Sequence, residues 1–285
     1  MIRYLTWIAL LLAPLLSATA CRADEVRLEY RGRLGEVREY GLTLDVRGER
    51  KSYGESRPVR IRAQFHLREE VIGVEREGVF WMRVSGQVVD VRDPTGTLAS
   101  GRYNRWPEMK VRVDPRGRLL AASLAADRPA PGPPQRGFAS LMSQIPAVIM
   151  PSGPVAVGTS WESDEMGGHQ ENRLLSLGGT GGRIAHIAGS GQVPLSLREE
   201  SRGLGVAVDL TGVQNRESEL DFLVERGLVL RHRGEMSLAT KEEVALELPE
   251  GGQRFLLESD LRISFDLRLL KVDGAPVSLE SGGTL

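Results

Sequence analysis

Four histidines, one cysteine and several adjacent carboxylates are the residues of this 285-residue chain that could do chemistry. His66, His169, His186 and His232 are far apart. No two have the spacing of a metal-ligand pair, and no cysteine stands near enough to complete a zinc site. Glu69-Glu70, Asp164-Glu165, Glu199-Glu200 and Glu242-Glu243 could serve glycoside hydrolysis only where two carboxyls face one another across a cleft. Neighbours on a strand point to opposite faces, which disfavours each pair taken by itself. No serine stands in a Gly-x-Ser-x-Gly elbow, and no Ser-x-x-Lys box opens a helix. Gly178–Gly182 and Gly251-Gly252 are followed by neither a helix nor Gly-Lys-Ser/Thr, so they read as hairpin turns and not as phosphate cradles. Asp209 and Asp90-x-x-Asp93 lack the ligand run of a calcium loop. The expectation is a protein with no catalytic residue, no metal and no cofactor.

The elements that carry these residues are strands. Period-two alternation begins at Val26, Leu28 and Tyr30 and resumes at Tyr40, Leu42, Leu44 and Val46 after a glycine-containing turn at 31–35. It is clearest at Val59, Ile61, Ala63, Phe65 and Leu67, interleaved with Arg60, Arg62, Gln64, His66 and Arg68. One face is apolar and the other charged, the mark of an antiparallel strand with one wet face, and His66 falls on the wet one. Phe80, Met82 and Val84 continue the pattern, with turns at Asp93-Pro-Thr-Gly96 and Asp114-Pro-Arg-Gly117. In the second half Leu204, Val206, Val208 and Leu210 alternate, then Leu220, Phe222 and Val224 lead through Glu225-Arg-Gly227 to Leu228, Leu230 and His232. The Val113–Leu119 and Val224–Val229 strand–turn–strand units match, which leaves an internal duplication open. A long strand from Arg254 to Val272 holds Phe255, Leu257, Leu261, Ile263, Phe265, Leu267 and Leu269 on one face. Its ~60 Å, at about 3.3 Å per residue, must twist or coil, as strands do when sheets curl into barrels or half-barrels.

One stretch breaks this grammar. Asp127–Arg136 is a proline-rich linker, and Phe138, Leu141, Met142 and Ile145 then recur at helical spacing until Pro146. A short helix at about 137–145 is expected, followed by an extended apolar strip and closed by Gly158-Thr-Ser-Trp161. It is the only non-sheet apolar segment available to cover the sheet. If the apolar face is not filled by its own side chains, Phe138, Leu141, Met142, Ile145 and Trp161 are the residues expected to meet an apolar ligand.

Composition bounds the rest. The 37 basic and 38 acidic residues nearly cancel and are interleaved, so nucleic-acid binding has no electrostatic footprint. Met1–Ala20 has an early Arg3, an apolar run from Leu5 to Leu16 and small residues before Cys21, which reads as a secretory signal. Two processings are open. Ala18-Thr-Ala20-Cys21 resembles a bacterial lipoprotein signal with Ala18 where leucine is usual, which implies acylation of Cys21. Alternatively, a plain peptidase cuts after Ala20 or Ala23 and Cys21 is incidental. An exported chain with one unpaired cysteine favours the anchor.

Pro154-Val155-x-Val157-Gly158-x-Ser160-Trp161 resembles a string found at mid-chain in a bacterial family of exported proteins of unknown function. In that family, too, a valine-aspartate-x-x-glycine hairpin comes first, as Val113–Gly117 does here; this chain has Thr159 where the family has aspartate. The curved-sheet layout is similar to the LolA-type lipoprotein-carrier half-barrels by architecture alone. The resulting expectation is a mainly β fold, a large curved antiparallel sheet forming a half-barrel, barrel or sandwich. Its segments are a signal peptide at 1–20, an N-terminal β half at 21–126, linker and helix at 127–161, and a C-terminal β half at 162–285. The functional expectation is a non-enzymatic envelope protein, periplasmic or anchored to the outer membrane, holding an apolar or lipid ligand. The alternatives are an interaction protein with a self-filled core, its protein partner unspecified, and an envelope hydrolase.

Overall fold

Alternation of apolar and charged residues over stretches of 16 to 20 residues produces strands long enough to coil, and they join in a single antiparallel sheet. The structure, a computed structural model, describes residues 24–95, 108–124, 148–165, 168–179, 182–201, 206–246 and 252–277. The strands are β1 (Val37–Ser52), β2 (Glu55–Val74), β3 (Phe80–Arg92), β4 (Met109–Val113), β5 (Leu119–Leu124) and β6 (Ser160–Glu165). There follow β7 (Gly168–Gly178), β8 (Ile184–Ser201), β9 (Val206–Leu223), β10 (Leu228–Leu246), β11 (Gln253–Val272) and the two-residue β12 (Ala275–Pro276). The spatial order is β5-β4-β3-β2-β1-β11-β10-β9-β8-β7-β6 with β12 on β11, so two meanders meet where the first strand pairs with the last long one. The sheet stays open, with β5 and β6 as its edges.

Although β3–β4 and β7–β9 lie toward opposite ends of this order, their inward side chains share one core. Phe80, Val111 and Val113 from one end join Leu174, Ile187, Leu220 and Phe222 from the other. The sheet is therefore curled, and what fills the curl is chain from outside the ladder. Val26, Leu28 and Tyr30 are buried there beside Val148, Met150 and Val155, with Val26 and Val155 exchanging both backbone hydrogen bonds. Tyr30 donates its hydroxyl to the Val148 carbonyl at 3.0 Å. These segments form a floor for the curl. Each fully buried aliphatic side chain contributes roughly 1.5–3 kcal/mol.

Two expectations are corrected here. Val26–Tyr30 alternates like a strand but joins no ladder beyond the single bridge at Val26. The 137–161 region is also not the only apolar cover, because residues 26–30 share that task. The expected helix at 137–145, the linker at 127–136, the signal segment 1–20 and Cys21 lie outside the described residues.

The hairpins whose sequences match are fastened to two adjacent residues, one each. Tyr30 donates its amide to the Pro115 carbonyl at 2.7 Å, and Arg31 donates to Gly227 at 3.2 Å. Asp114 caps the first turn, its Oδ1 accepting from the Arg116 and Arg118 amides at 2.9 Å each. Gly117 there has φ +88°, and a β-carbon on it would come within 2.5 Å of the Tyr30 ring, so only glycine fits. Below the floor, Arg38 is 3% exposed and pairs with the equally buried Glu36 at 2.6 Å, while also donating to the Arg31 carbonyl. Burial opposes the Arg38 charge, but Tyr40, Glu69 and Glu36 around it together raise its pKa.

Candidate functional site

The inward face is set by register. Leu42, Leu44 and Val46 on β1 face the same way as Phe265, Leu267 and Ile263 on β11, and as Phe65, Ala63 and Ile61 on β2. Met236 and Leu238 on β10 complete this apolar wall. Leu42, Leu44, Phe65, Ile263, Phe265 and Met236 on it are buried, and Leu267 is partly so. Further along the strands Ile61, Val88, Leu238, Leu261, Leu257 and Phe255 face inward but are only partly covered.

Beyond the floor core, the facing wall, from β6 to β9 with His232 of β10, has the opposite chemistry. Ser163, Gln170, Asn172, Gln214, Arg216, Ser218 and His232 all point inward and are all buried. Gln170 donates to Asn172 Oδ1 at 2.7 Å, and Gln214 donates to the Met236 sulfur at 3.0 Å. By contrast, Asn172 Nδ2, Ser163 Oγ, Ser218 Oγ and His232 Nε2 are buried with no hydrogen-bond partner among the described residues. Each such group costs about 1–3 kcal/mol when nothing satisfies it.

Glycines let these groups pack close together. Ser218 is flanked in register by Gly189 on β8 and Gly234 on β10, and Asn172 is the partner of Gly189 on its other side. A β-carbon on Gly189 would lie 2.6 Å from Asn172 Oδ1, 3.4 Å from Gln170 Nε2 and 3.6 Å from Ser218 Oγ. The polar atoms thus converge on a position that carries no side chain. His232 closes the group, its ring edge-on to Phe265 at 5.0 Å. Burial first, and the Arg216 charge second, push the His232 pKa from 6.5 down to about 3, so the imidazole is neutral at ordinary pH. Ser218 and His232 do not hydrogen-bond to each other, and an imidazole of that pKa is a weak base. They do not form an activated nucleophile, and the buried cluster holds no carboxylate among the described residues.

Of the residues singled out by sequence, Trp161 is described. It faces inward on β6, packs against the floor core and donates its indole N–H to the Ile149 carbonyl at 2.8 Å. Phe138, Leu141, Met142 and Ile145 lie outside the described residues. His66 points outward as expected and approaches Glu39 at 3.3 Å. The polar cluster escaped sequence reading, yet the signal was present. Counting back by twos from Phe222 and Leu220 gives Ser218, Arg216 and Gln214, polar residues in inward register.

The charged face also has a depression, of about 740 Å³, behind the same strands. Of its lining charges, Arg233 pairs with Glu219, and Asp266 pairs with Arg231 and Arg268 beside it. Among the described residues no three histidine, cysteine or carboxylate side chains gather closely enough to hold a metal ion.

The fold is thus an open antiparallel sheet curled over a floor of its own chain, with one apolar and one polar inner wall. No protein-family model matches the chain, and no curated protein matches it. Among solved structures it is similar to one described as lipid–protein interactions in lipovitellin, with a TM-score of 0.39 and 13% identity. That likeness covers 86% of this chain and 26% of the other, so the chain spans about a quarter of the length of the protein it matches.

Proposed function

We propose that this protein binds an apolar ligand within its curled sheet, as a carrier and not as a catalyst. The observation that carries this reading is the partly uncovered apolar surface on the inner wall. Leu44, Phe65 and Phe265 are buried, as is Val59 further along, whereas Ile61, Leu238, Leu261 and Leu257 on the same face are left partly uncovered. A sheet that only filled itself would close this wall along its whole length, since each partly covered aliphatic forgoes burial worth roughly 25 cal/mol per Å². Concave, mostly apolar surface with a few placed polar groups is the usual character of a small-molecule site.

The signal-like Met1–Ala20 and the cysteine that follows it support an exported protein held at the cell envelope by an acylated Cys21. Mass spectrometry of the mature N-terminus tests that part. A diacylated Cys21 is the expected result, and an unmodified N-terminus at Asp24 removes the anchor. Ligand binding is tested by titrating the delipidated protein with the fluorescent fatty acid cis-parinaric acid. Saturable binding with a rise in thermal midpoint is expected. A protein that takes up no probe and yields no lipid on extraction contradicts the carrier reading.

A further inference from the structure

The apolar wall explains where a ligand's tail would lie but not why the opposite wall buries polar groups without partners. We infer that Asn172, Ser218 and His232, with Ser163 on the adjoining row, form a head-group site for a long-chain carboxylate. The inference rests on the carrier reading and adds the chemical class of the ligand.

Three observations converge on it. The first is donor count. Asn172 Nδ2, the Ser218 and Ser163 hydroxyls and a neutral His232 ring in its Nε2–H form supply four donors, all lacking partners in the described structure. An ionised carboxylate accepts only, at about four lone-pair sites. The second is placement. Gly189 and Gly234 flank Ser218, so no side chain of β8 stands between Ser218 and Asn172, and none of β10 stands directly opposite Ser218. The third is charge. The buried Arg216 guanidinium faces inward beside this group and is felt at His232, where it disfavours a second positive charge. The same field favours an anion. An uncharged wax or hydrocarbon would leave all four donors unmet.

Length agrees with the assignment. Ser218 is level with Phe265 on β11, through Gly234, and Leu257 is eight residues further toward the uncovered end. At about 3.3 Å per residue that is ~26 Å of wall, comparable with the length of a long acyl chain running toward Leu261 and Leu257. The head group is then deep, beside the floor, and the tail points to the partly covered end.

The test compares cis-parinaric acid with its methyl ester on the full chain. The two share a tail and differ only in the charge and acceptors of the head. Wild type is expected to bind the acid about tenfold more tightly than the ester. Ser218→Ala combined with Asn172→Leu should weaken the acid about tenfold and leave the ester within twofold. Asn172→Asp keeps the size of the side chain but turns its donor end into a second anion, so it should weaken the acid by more and again spare the ester. Circular dichroism and thermal midpoints check that each variant is folded. If wild type binds acid and ester equally, or the variants weaken both alike, the head-group site is wrong and the carrier reading stands. Water alone would then satisfy the cluster. If neither probe binds wild type, the carrier reading fails, and the head-group site with it.

Discussion

Lowering the pH from 7.5 to 5.0 should destabilise this protein through His232, by an amount that the structure sets. The ring lies at the polar end of the inner face, 3% exposed, against Phe265 of β11 and within the field of Arg216 on β9. Its pKa in the fold is about 3, whereas the unfolded chain has the ordinary value of about 6.5. Between those two values the unfolded state binds a proton that the folded state refuses. The stability is therefore fully present above pH 6.5 and is lost as pH falls toward 3. At pH 5.0 the loss amounts to about 2 kcal/mol. Urea unfolding at both pH values measures it, using the wild type and His232→Gln, which removes the titration and keeps a polar side chain. The carboxylates titrate in both proteins and cancel in the comparison. The wild type should lose about 2 kcal/mol more than the variant. Equal losses, or an NMR titration placing His232 near 6.5, would refute the claim that this ring is buried and neutral.

Further expectations concern the floor and the polar wall. Tyr30→Phe removes the hydroxyl that Val148 accepts and should cost about 1 kcal/mol, read from chemical denaturation. Gly117→Ala meets both a positive φ and the Tyr30 ring, so it should cost more than Tyr30→Phe and lower the thermal midpoint accordingly. Arg38→Met leaves Glu36 buried with only the longer Arg226 contact at 3.5 Å and should destabilise by about 3–5 kcal/mol. Adding Glu36→Gln to Arg38→Met should recover part of that loss, and an additive double variant would argue against the pairing. Gly189→Ala places a methyl group 2.6 Å from Asn172 Oδ1, which displaces the amide. It should weaken binding of the carboxylate probe more than binding of its ester.

Much of the sheet was legible because alternation is a local signal. β11 runs from Gln253 to Val272, within a residue of the expected Arg254–Val272, and the turns at Asp114–Gly117 and Glu225–Gly227 join paired strands. Strand length was less legible. β8 continues through Pro194, which has a partner on β9 but none on β7, so the missing amide costs no ladder bond on that side. Tertiary context decided the remainder. Val26–Tyr30 has the pattern of a strand, but its neighbours are the two hairpin turns and residues 148–155, contacts that join residues up to about 200 apart in sequence. The polar wall was missed because a strand's inward side was equated with its apolar side. On β9 the two part company at Ser218, Arg216 and Gln214, where the register holds and the chemistry changes.

The most direct measurement is a crystal structure of the protein soaked with a fatty acid brominated at its far end. The account predicts an anomalous bromine peak against Leu261, Leu257 or Ile61, with the carboxylate within hydrogen-bond distance of Asn172 Nδ2 and Ser218 Oγ. A bromine peak on the charged outer face, or an inner face filled only by the protein's own side chains, would contradict it.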